Sequence, residues 1–127
     1  MIDLSIIVPL LNEEESIKEL YNEIYSTLSN TNLSYELILM DDGSIDNSWN
    51  IIESIVLDSK HVKAIKFKKN QGKSIALGVG FSHACGNVVI TMDGDLQDDP
   101  NEIPSLYNMI INEKYDLVSG WKKHRLD

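Results

Sequence analysis

Two patterns of apolar residues alternate along the chain. Short apolar runs are typical of buried strands, whereas apolar residues spaced three or four apart are typical of helices with one buried face. Five runs predict strands: LSIIVPL (4–10), YELILMDD (35–42), VKAIKF (62–67), VVITM (88–92) and YDLVSGW (115–121). Helical spacing predicts a first helix from residue 13 onward, then helices over 46–59, 74–84 and 103–114. Strands and helices therefore alternate from one end of the sequence to the other.

Two residues near position 10 set predicted boundaries. Pro9 has no N–H to give to a central ladder, so we expect the first strand to close there. Asn12 is a candidate N-cap for the first helix, and the glutamates that follow it suit the positive end of a helix.

Alternating strands and helices predict an α/β fold, in which helices cover both faces of a mostly parallel sheet. The 127 residues are enough for a single domain, 1–127. Ligands of such sheets bind beyond the carboxyl ends of the strands. Four polar segments each follow a predicted strand: PLLNEE, DDGS, KKNQGK and DGDLQDD. We therefore expect all four to meet at one edge of the sheet and to form a site.

The segment DGDLQDD carries the strongest candidate chemistry. Asp93 and Asp95 are separated by Gly94, which permits a close approach of the backbone or a positive φ. Paired carboxylates in an extended turn offer hard oxygen ligands to Mg²⁺ or Mn²⁺, and Gln97 adds a neutral oxygen. The alternative interpretation is a solvated Asp–Gly turn.

The segment DDGS permits two interpretations. Asp41, Asp42 and Ser44 form an Asx-turn if Gly43 takes a left-handed conformation. Alternatively, a carboxylate at this strand end accepts hydrogen bonds from a nucleobase or a ribose.

The segment NQGKS resembles the end of a phosphate-binding loop. The Walker A motif requires a second glycine five positions before Gly72, where this chain has Phe67, so that motif is excluded. Gly72 and Lys73 still open a predicted helix, whose amino end suits an anion. A solvated lysine is the alternative for Lys73.

The amino-acid composition and charge narrow the classes of molecule that the chain could bind. The net charge of −9 and the isoelectric point of about 4.6 argue against nucleic-acid binding. One basic island, Trp121 to Arg125, is either a solvated tail or a diphosphate contact. The single Cys85 is expected to be a buried thiol in a reducing compartment. Because the sequence shows neither a membrane span nor a signal peptide, we expect a cytoplasmic domain.

Five segments in this order resemble the family 2 glycosyltransferases with the GT-A fold: VPLLNEEESI, ELILMDDGSIDNS, NQGKSIALGVGF, VVITMDGDLQDDP and YDLVSGWKKHRLD. Among them, the chain is most similar to dolichyl- and undecaprenyl-phosphate sugar synthases. The resemblance implies the Rossmann-like nucleotide-binding half of such an enzyme. It also implies a GDP- or UDP-sugar donor, inversion at the anomeric carbon, and a polyprenyl phosphate or a glycan as acceptor.

The resemblance implies roles for matching residues. It places the nucleotide near Pro9, Leu11, Glu13, Asp42 on the base, Gly72, Lys73, Asp93 near the ribose, and Gly94. The metal pair would be Asp93 and Asp95, which are also the expected catalytic residues, with Gln97 as a third ligand. Arg125 matches a basic position near the phosphates.

Three alternatives stay open at this stage. Since the family's catalytic domains extend past the equivalent of Asp127, the acceptor half and any membrane contact are expected outside this sequence. The chain would then be either an active transferase or a module that binds the donor without turnover. The acceptor group would be a lipid phosphate or a hydroxyl. VVITMDGDLQ also fits the opening motif of haloacid-dehalogenase-like phosphatases, although only 32 residues follow Asp95.

Overall fold

The computed structural model describes residues 1–113 and 118–119, which form one parallel sheet with helices on both faces. The strands are β1 (Leu4–Leu10), β2 (Tyr35–Asp41), β3 (Val62–Lys66), β4 (Val88–Thr91) and β5 (Val118–Ser119). The helices are α1 (Ile17–Ser29), α2 (Ser48–Asp58), α3 (Lys73–His83) and α4 (Ile103–Glu113), and a 3₁₀ turn at Pro100–Glu102 precedes α4. The predicted α/β fold is confirmed.

The sheet order is β3-β2-β1-β4-β5, and each neighbouring pair is parallel. Strands are added on one side of β1 as far as β3, and the chain then crosses to the other side to form β4. Such a reversal opens a crevice at the carboxyl ends of the two strands that flank it. The topology therefore places a binding cleft between the loops that follow β1 and β4.

The core has two unequal parts. The larger cluster packs α1, α2 and α4 against one face of the sheet, to which β1 contributes Ile6 and Val8. The smaller cluster packs Ala76 of α3 against Ile7 and Ile38 on the opposite face. Neighbouring strand residues thus serve opposite faces, as the two-residue period of a strand requires.

Strand β1 has the predicted bounds, Leu4–Leu10, and continues one residue past Pro9, which was expected to close it. Strand β1 pairs with β2 up to Leu10 and Asp41, whereas its pairing with β4 ends at Ile7 and Thr91. Proline lacks only a donor. Pro9 is tolerated within β1 because the missing N–H would face β4, and the pairing of β1 with β4 has already ended at Ile7.

The predicted start of the first helix is also wrong. Helix α1 begins at Ile17 with Ser16 at its N-cap, four residues after Glu13. Asn12 has a φ of 53° and its side chain bonds to the loop after β2, so it does not cap α1. The local pattern correctly marked Asn12 as a side chain that accepts from backbone N–H groups. The N–H group that it accepts from is that of Ile45 in the loop after β2, not one in α1.

Cys85 is exposed, so the prediction of a buried thiol is wrong. It lies in the turn between α3 and β4, where its backbone N–H, not its sulfur, contacts a buried carboxylate, Glu36. In the described part of the chain, no helix is long and apolar enough to cross a bilayer.

Candidate active site

A cavity of about 360 Å³ opens at the carboxyl ends of β1, β2 and β4. Loops from four separate parts of the sequence line it. The lining residues are Pro9, Leu10, Leu11, Glu13, Asp42, Asn70, Gly72, Lys73, Asp93, Gly94 and Asp95. The cavity therefore brings together the four polar segments that the sequence placed at one edge of the sheet.

The loop after β1 is held against the loop after β2. The backbone N–H of Asn12 donates to Ser44 Oγ at 2.9 Å, and Asn12 Oδ1 accepts from the Ile45 N–H at 2.9 Å. The backbone N–H of Glu13 donates to Ser48 Oγ at 3.0 Å. These bonds fix the backbone that carries Leu11 and Glu13 to the cavity wall.

Asp46 adds a further link between the same two loops. Its carboxylate accepts from the Ser48 N–H at 2.9 Å and from the Glu14 N–H at 3.3 Å. Desolvation raises the pKa of Asp46, but the hydrogen bonds from Ser48 and Glu14 outweigh it and the net pKa is lowered. The charged carboxylate is therefore the form that this loop contact favours.

Asp42 is buried at the floor of the cavity and holds the loop before α3. Its two carboxylate oxygens accept from the backbone N–H groups of Gln71, at 2.7 Å, and Gly72, at 3.1 Å. Gly43 beside it has a φ of 81°, as the Asx-turn interpretation required. A Cβ on Gly43 would lie 2.4 Å from the Asn70 nitrogen, so the loops after β2 and β3 pack without space for a side chain.

Lys73 and Asp93 form an ion pair inside the cavity. Lys73 is the first residue of α3, and its side chain is 61% exposed, against 20% for Asp93. Asp98 is buried and accepts from the backbone N–H of Asp93 at 2.6 Å, which fixes the turn after β4. A cationic group is thus already in contact with the first carboxylate of the acidic pair.

The second carboxylate, Asp95, is exposed at the rim and accepts from the Gln97 N–H at 3.2 Å. Gly94 between the two aspartates packs directly on β1. A Cβ there would lie 2.0 Å from Leu10 Cδ2, and the Gly94 carbonyl oxygen lies 2.8 Å from Ser16 Oγ. Gly94 is required for this close contact and does not have a positive φ; Leu96 does, at 66°.

The acidic pair has the chemistry of a site for a divalent cation. Asp93 and Asp95 both line the cavity, both offer carboxylate oxygens, and Asp93 already attracts the cationic Lys73. Hard oxygen ligands of this kind, few in number and completed by substrate phosphates, are those that Mg²⁺ and Mn²⁺ use. Within residues 1–113 and 118–119, no group of three or more His, Cys, Asp or Glu side chains is placed to hold a metal.

The structure does not bring together every residue named from the sequence. Nine of them line the cavity, but Gln97 is exposed and does not, and Arg125 lies outside the described residues, as does the rest of the basic island. Sequence reasoning missed the roles of Ser16 and Asp98, which bond to the backbone of the acidic turn. Asp98 belonged to the acidic segment, so a signal existed; Ser16 had none.

Comparison with known proteins identifies the family of this chain. The family model described as glycosyl transferase family 2 matches residues 5–127. The chain belongs to that family. The predicted family is therefore confirmed, and the phosphatase alternative is left without support. Among curated proteins, the undecaprenyl-phosphate 4-deoxy-4-formamido-L-arabinose transferase of Shewanella sediminis (strain HAW-EB3) is 42% identical over 124 residues. The match covers 97% of this chain and 37% of that protein, so the chain spans little more than a third of its relative.

Solved structures of glycosyltransferases share the fold. The mannosyltransferase PcManGT from Pyrobaculum calidifontis, in complex with GDP-Man and Mn²⁺, superposes with a TM-score of 0.69 at 22% identity, over 84% of this chain and 31% of that one. Glucosyl-3-phosphoglycerate synthase from Mycobacterium tuberculosis, in complex with Mn²⁺, UDP-glucose and phosphoglyceric acid, gives 0.66 at 25% identity, over 85% and 39%. The predicted GT-A fold is confirmed.

Proposed function

We propose that this chain binds a nucleotide-diphosphate hexose, with UDP or GDP as the nucleotide, for inverting transfer to an acceptor that is a polyprenyl phosphate. The observation that carries the proposal is the shared cavity. Asp42, Lys73, Asp93 and Asp95 come from three separate loops and all line one space of about 360 Å³ at the carboxyl ends of the strands. This is where an α/β sheet with a reversed strand order binds nucleotides.

The nucleoside is assigned to the side of the cavity formed by the loops after β1 and β2. Pro9 and Leu11 offer apolar surface there, and Glu13 and Asp42 offer acceptors for N–H and hydroxyl groups. Asp42 already accepts from two backbone amides, and each carboxylate oxygen has capacity for a further bond. Asp42 therefore serves both as a support for the loop and as the expected contact to the base.

The diphosphate is assigned to the amino end of α3. Gly72 and Lys73 stand at that end, where the helix dipole favours an anion, although the Gly72 N–H itself already donates to Asp42. The exposed ammonium of Lys73 adds a full positive charge within the same cavity. These groups would bind and orient the phosphates of the donor, and Arg125 is proposed to assist from the segment beyond the described residues.

Asp93 and Asp95 are proposed to hold Mg²⁺ or Mn²⁺, with Gln97 as a further oxygen ligand. When bound, the cation would neutralise the negative charge that develops on the diphosphate as it leaves. The solved complexes of PcManGT and of the mycobacterial synthase contain both Mn²⁺ and a nucleotide sugar, which supports a divalent cation in the proposed reaction. The hydrogen bonds that the Asp93 N–H donates to Asp98 and that the Ser16 hydroxyl donates to the Gly94 carbonyl would hold the acidic turn in place.

In the proposed reaction, an acceptor oxygen forms a bond to the anomeric carbon while the bond from that carbon to the β-phosphate oxygen breaks. The bonding electrons leave with the nucleoside diphosphate. A phosphomonoester acceptor has a second pKa of about 6, so it is largely ionised near neutral pH and needs little help from a base. The curated relative acts on undecaprenyl phosphate by its name, which supports this acceptor class.

A second function is a donor-binding module without turnover. One observation favours it, since the chain spans only 37% of the curated relative. Isothermal calorimetry with GDP and UDP, each with and without Mn²⁺, measures donor binding. A donor-hydrolysis assay then separates the two functions, because only the transferase consumes the donor.

The Asp95→Ala substitution tests the metal assignment. We expect the gain in nucleotide affinity that Mn²⁺ provides to fall about tenfold or more, because a carboxylate ligand is lost. The melting temperature should not change, because Asp95 is exposed at a loop. Asp58→Ala, which removes an exposed carboxylate at the end of α2, is the matched control. An unchanged effect of Mn²⁺ in Asp95→Ala would remove that residue from the site.

A further inference from the structure

The ion pair between Lys73 and Asp93 affects the binding of the divalent cation as well as the binding of the donor. Asp93 is one of the two carboxylates proposed to hold the divalent cation, yet its oxygen is in contact with the Lys73 ammonium. A carboxylate in contact with an ammonium group attracts a second cation less strongly, because the two positive charges repel. A metal ion that approaches Asp93 must therefore compete with Lys73.

Lys73 also occupies an unusual place for a cation. It is the first residue of α3, and the amino end of a helix carries partial positive charge that disfavours a lysine. An anionic partner compensates for this, and Asp93 supplies it in the structure. The side chain of Lys73 is 61% exposed and has a flexible four-carbon stem, so it is able to turn from one anion to another.

We propose that Lys73 acts as a place-holding cation, which occupies Asp93 until a nucleotide diphosphate enters the cavity and offers the ammonium a better anion. The divalent ion then binds together with the nucleotide and only weakly without it. The inference rests on the proposed function, because it assumes that Asp93 is a metal ligand and that the diphosphate lies near Lys73. Lys73 is thus a positioning residue that couples the two ligands.

Thermodynamic linkage makes this coupling reciprocal. If the nucleotide draws Lys73 away from Asp93, it raises the affinity for the metal, and the metal raises the affinity for the nucleotide by the same factor. Part of that coupling comes from direct contact between metal and phosphate. The part that comes from Lys73 disappears when its charge is removed.

The test measures Mn²⁺ binding to the nucleotide-free 127-residue chain, by the loss of the electron paramagnetic resonance signal of free Mn²⁺. Lys73→Met removes the ammonium and keeps most of the stem, so Mn²⁺ should bind about fivefold more tightly, on the scale of an exposed ion pair. Lys68→Met is the matched control. It causes the same change in net charge in the same loop region, and Lys68 is exposed and has no ion pair within the described residues.

A conservative variant adds a second control. Lys73→Arg keeps a cation beside Asp93, so its affinity for Mn²⁺ should stay near that of the wild type. The melting temperature of each variant is measured as well, because Lys73 is exposed and none of these changes is expected to unfold the chain. Equal Mn²⁺ affinity in Lys73→Met and Lys68→Met, or weaker binding in Lys73→Met, would overturn the proposal.

The same variants are then titrated with Mn²⁺ in the presence of saturating GDP or UDP. The factor by which the nucleotide raises Mn²⁺ affinity should be smaller in Lys73→Met than in the wild type, and an equal factor would overturn the proposal. The two failures are distinguishable. If neither nucleotide binds the wild type, with or without Mn²⁺, the proposed function fails. If a nucleotide binds but Lys73→Met behaves like its control, only the role of Lys73 fails.

Discussion

One ion pair of a lysine with a carboxylate lies at the amino ends of the strands and another lies at their carboxyl ends, and the two pairs differ in their surroundings. At the amino ends of the strands, Lys63 Nζ lies 2.8 Å from Glu36 Oε1. At the carboxyl ends, Lys73 contacts Asp93 inside the cavity. The side chain of Glu36 is 8% exposed and that of Asp93 is 20% exposed. One pair is therefore enclosed by the fold, whereas the other lines the proposed binding cavity.

The ion pair of Glu36 with Lys63 belongs to a network of hydrogen bonds. Its Oε2 accepts from Ser5 Oγ at 2.5 Å and from the Cys85 N–H at 2.6 Å, and Lys63 also donates to the His83 carbonyl at 2.9 Å. Burial raises the pKa of Glu36, but the hydrogen bonds from Lys63, Ser5 and Cys85 outweigh it, so the net pKa is lowered. These bonds tie β1, β2 and β3 to the turn between α3 and β4.

The Asp93 pair instead faces the space that the neighbouring loops leave open. Its lysine is 61% exposed, and the second carboxylate, Asp95, is exposed at the rim. Exposed ion pairs contribute little to stability, whereas buried charges with several hydrogen bonds are costly to disrupt. We therefore infer that Glu36 stabilises the fold and that the pair of Lys73 with Asp93 contributes much less to stability.

The largest expected effect separates the two pairs directly. Glu36→Ala should lower the free energy of unfolding by about 3 kcal/mol, because the buried hydroxyl of Ser5 and the N–H of Cys85 lose a charged acceptor. Asp93→Ala should lower it by less than about 1 kcal/mol. Urea unfolding of both variants measures the difference, with Glu53→Ala on the exposed face of α2 as the control. Equal losses at Glu36 and Asp93 would contradict the comparison.

The next effect concerns packing at the cavity edge. Gly94→Ala should cost about 2 kcal/mol, because the new Cβ would overlap Leu10 Cδ2, and Leu10 is itself buried. The double variant Gly94→Ala with Leu10→Ala should lose less free energy of unfolding than the sum of the losses in the two single variants. A double-mutant cycle in thermal or urea unfolding measures this coupling. Simple additivity would mean that the two residues are not in contact.

A smaller effect is expected at the floor of the cavity. Asp42→Asn should weaken GDP or UDP binding about fivefold, with or without Mn²⁺, because the amide keeps one acceptor but turns a donor toward the Gly72 N–H. Asp58→Asn removes a carboxylate outside the cavity and is the control. Calorimetry measures both. Unchanged affinity in Asp42→Asn would remove Asp42 from the nucleotide site and leave it as a loop support.

The smallest effect is the dependence of stability on pH. Because the folded pKa of Glu36 lies below its unfolded value, its contribution is present above the unfolded pKa and is lost as the pH falls through the folded pKa. Wild-type stability should therefore decline more steeply than that of Glu36→Gln between about pH 5 and about pH 3. Unfolding free energies across that range measure the slopes, and Glu53→Gln is the control. Parallel slopes would show that Glu36 does not titrate with folding.

The sequence by itself determined the elements and the edge at which chemistry occurs. Apolar periodicity is a local property, so the segments around Ile7, Ile38 and Ile90 were recognised as strands without knowledge of their partners. Parallel strands also place their carboxyl ends together, which allowed Asp42, Lys73 and Asp93 to be assigned to one site from their positions in the sequence.

Only the tertiary structure decided which distant groups meet. Asn12 resembled a helix cap because capping residues share one chemistry, but the amide it bonds to is that of Ile45, 33 positions away. Pro9 is tolerated within β1 because the neighbouring ladder ends first, and that depends on the strand order. The contacts of Lys73 with Asp93 and of Glu36 with Cys85 likewise join segments that no local pattern connects. Period and propensity act within a few residues, whereas the choice of partner requires the packed sheet.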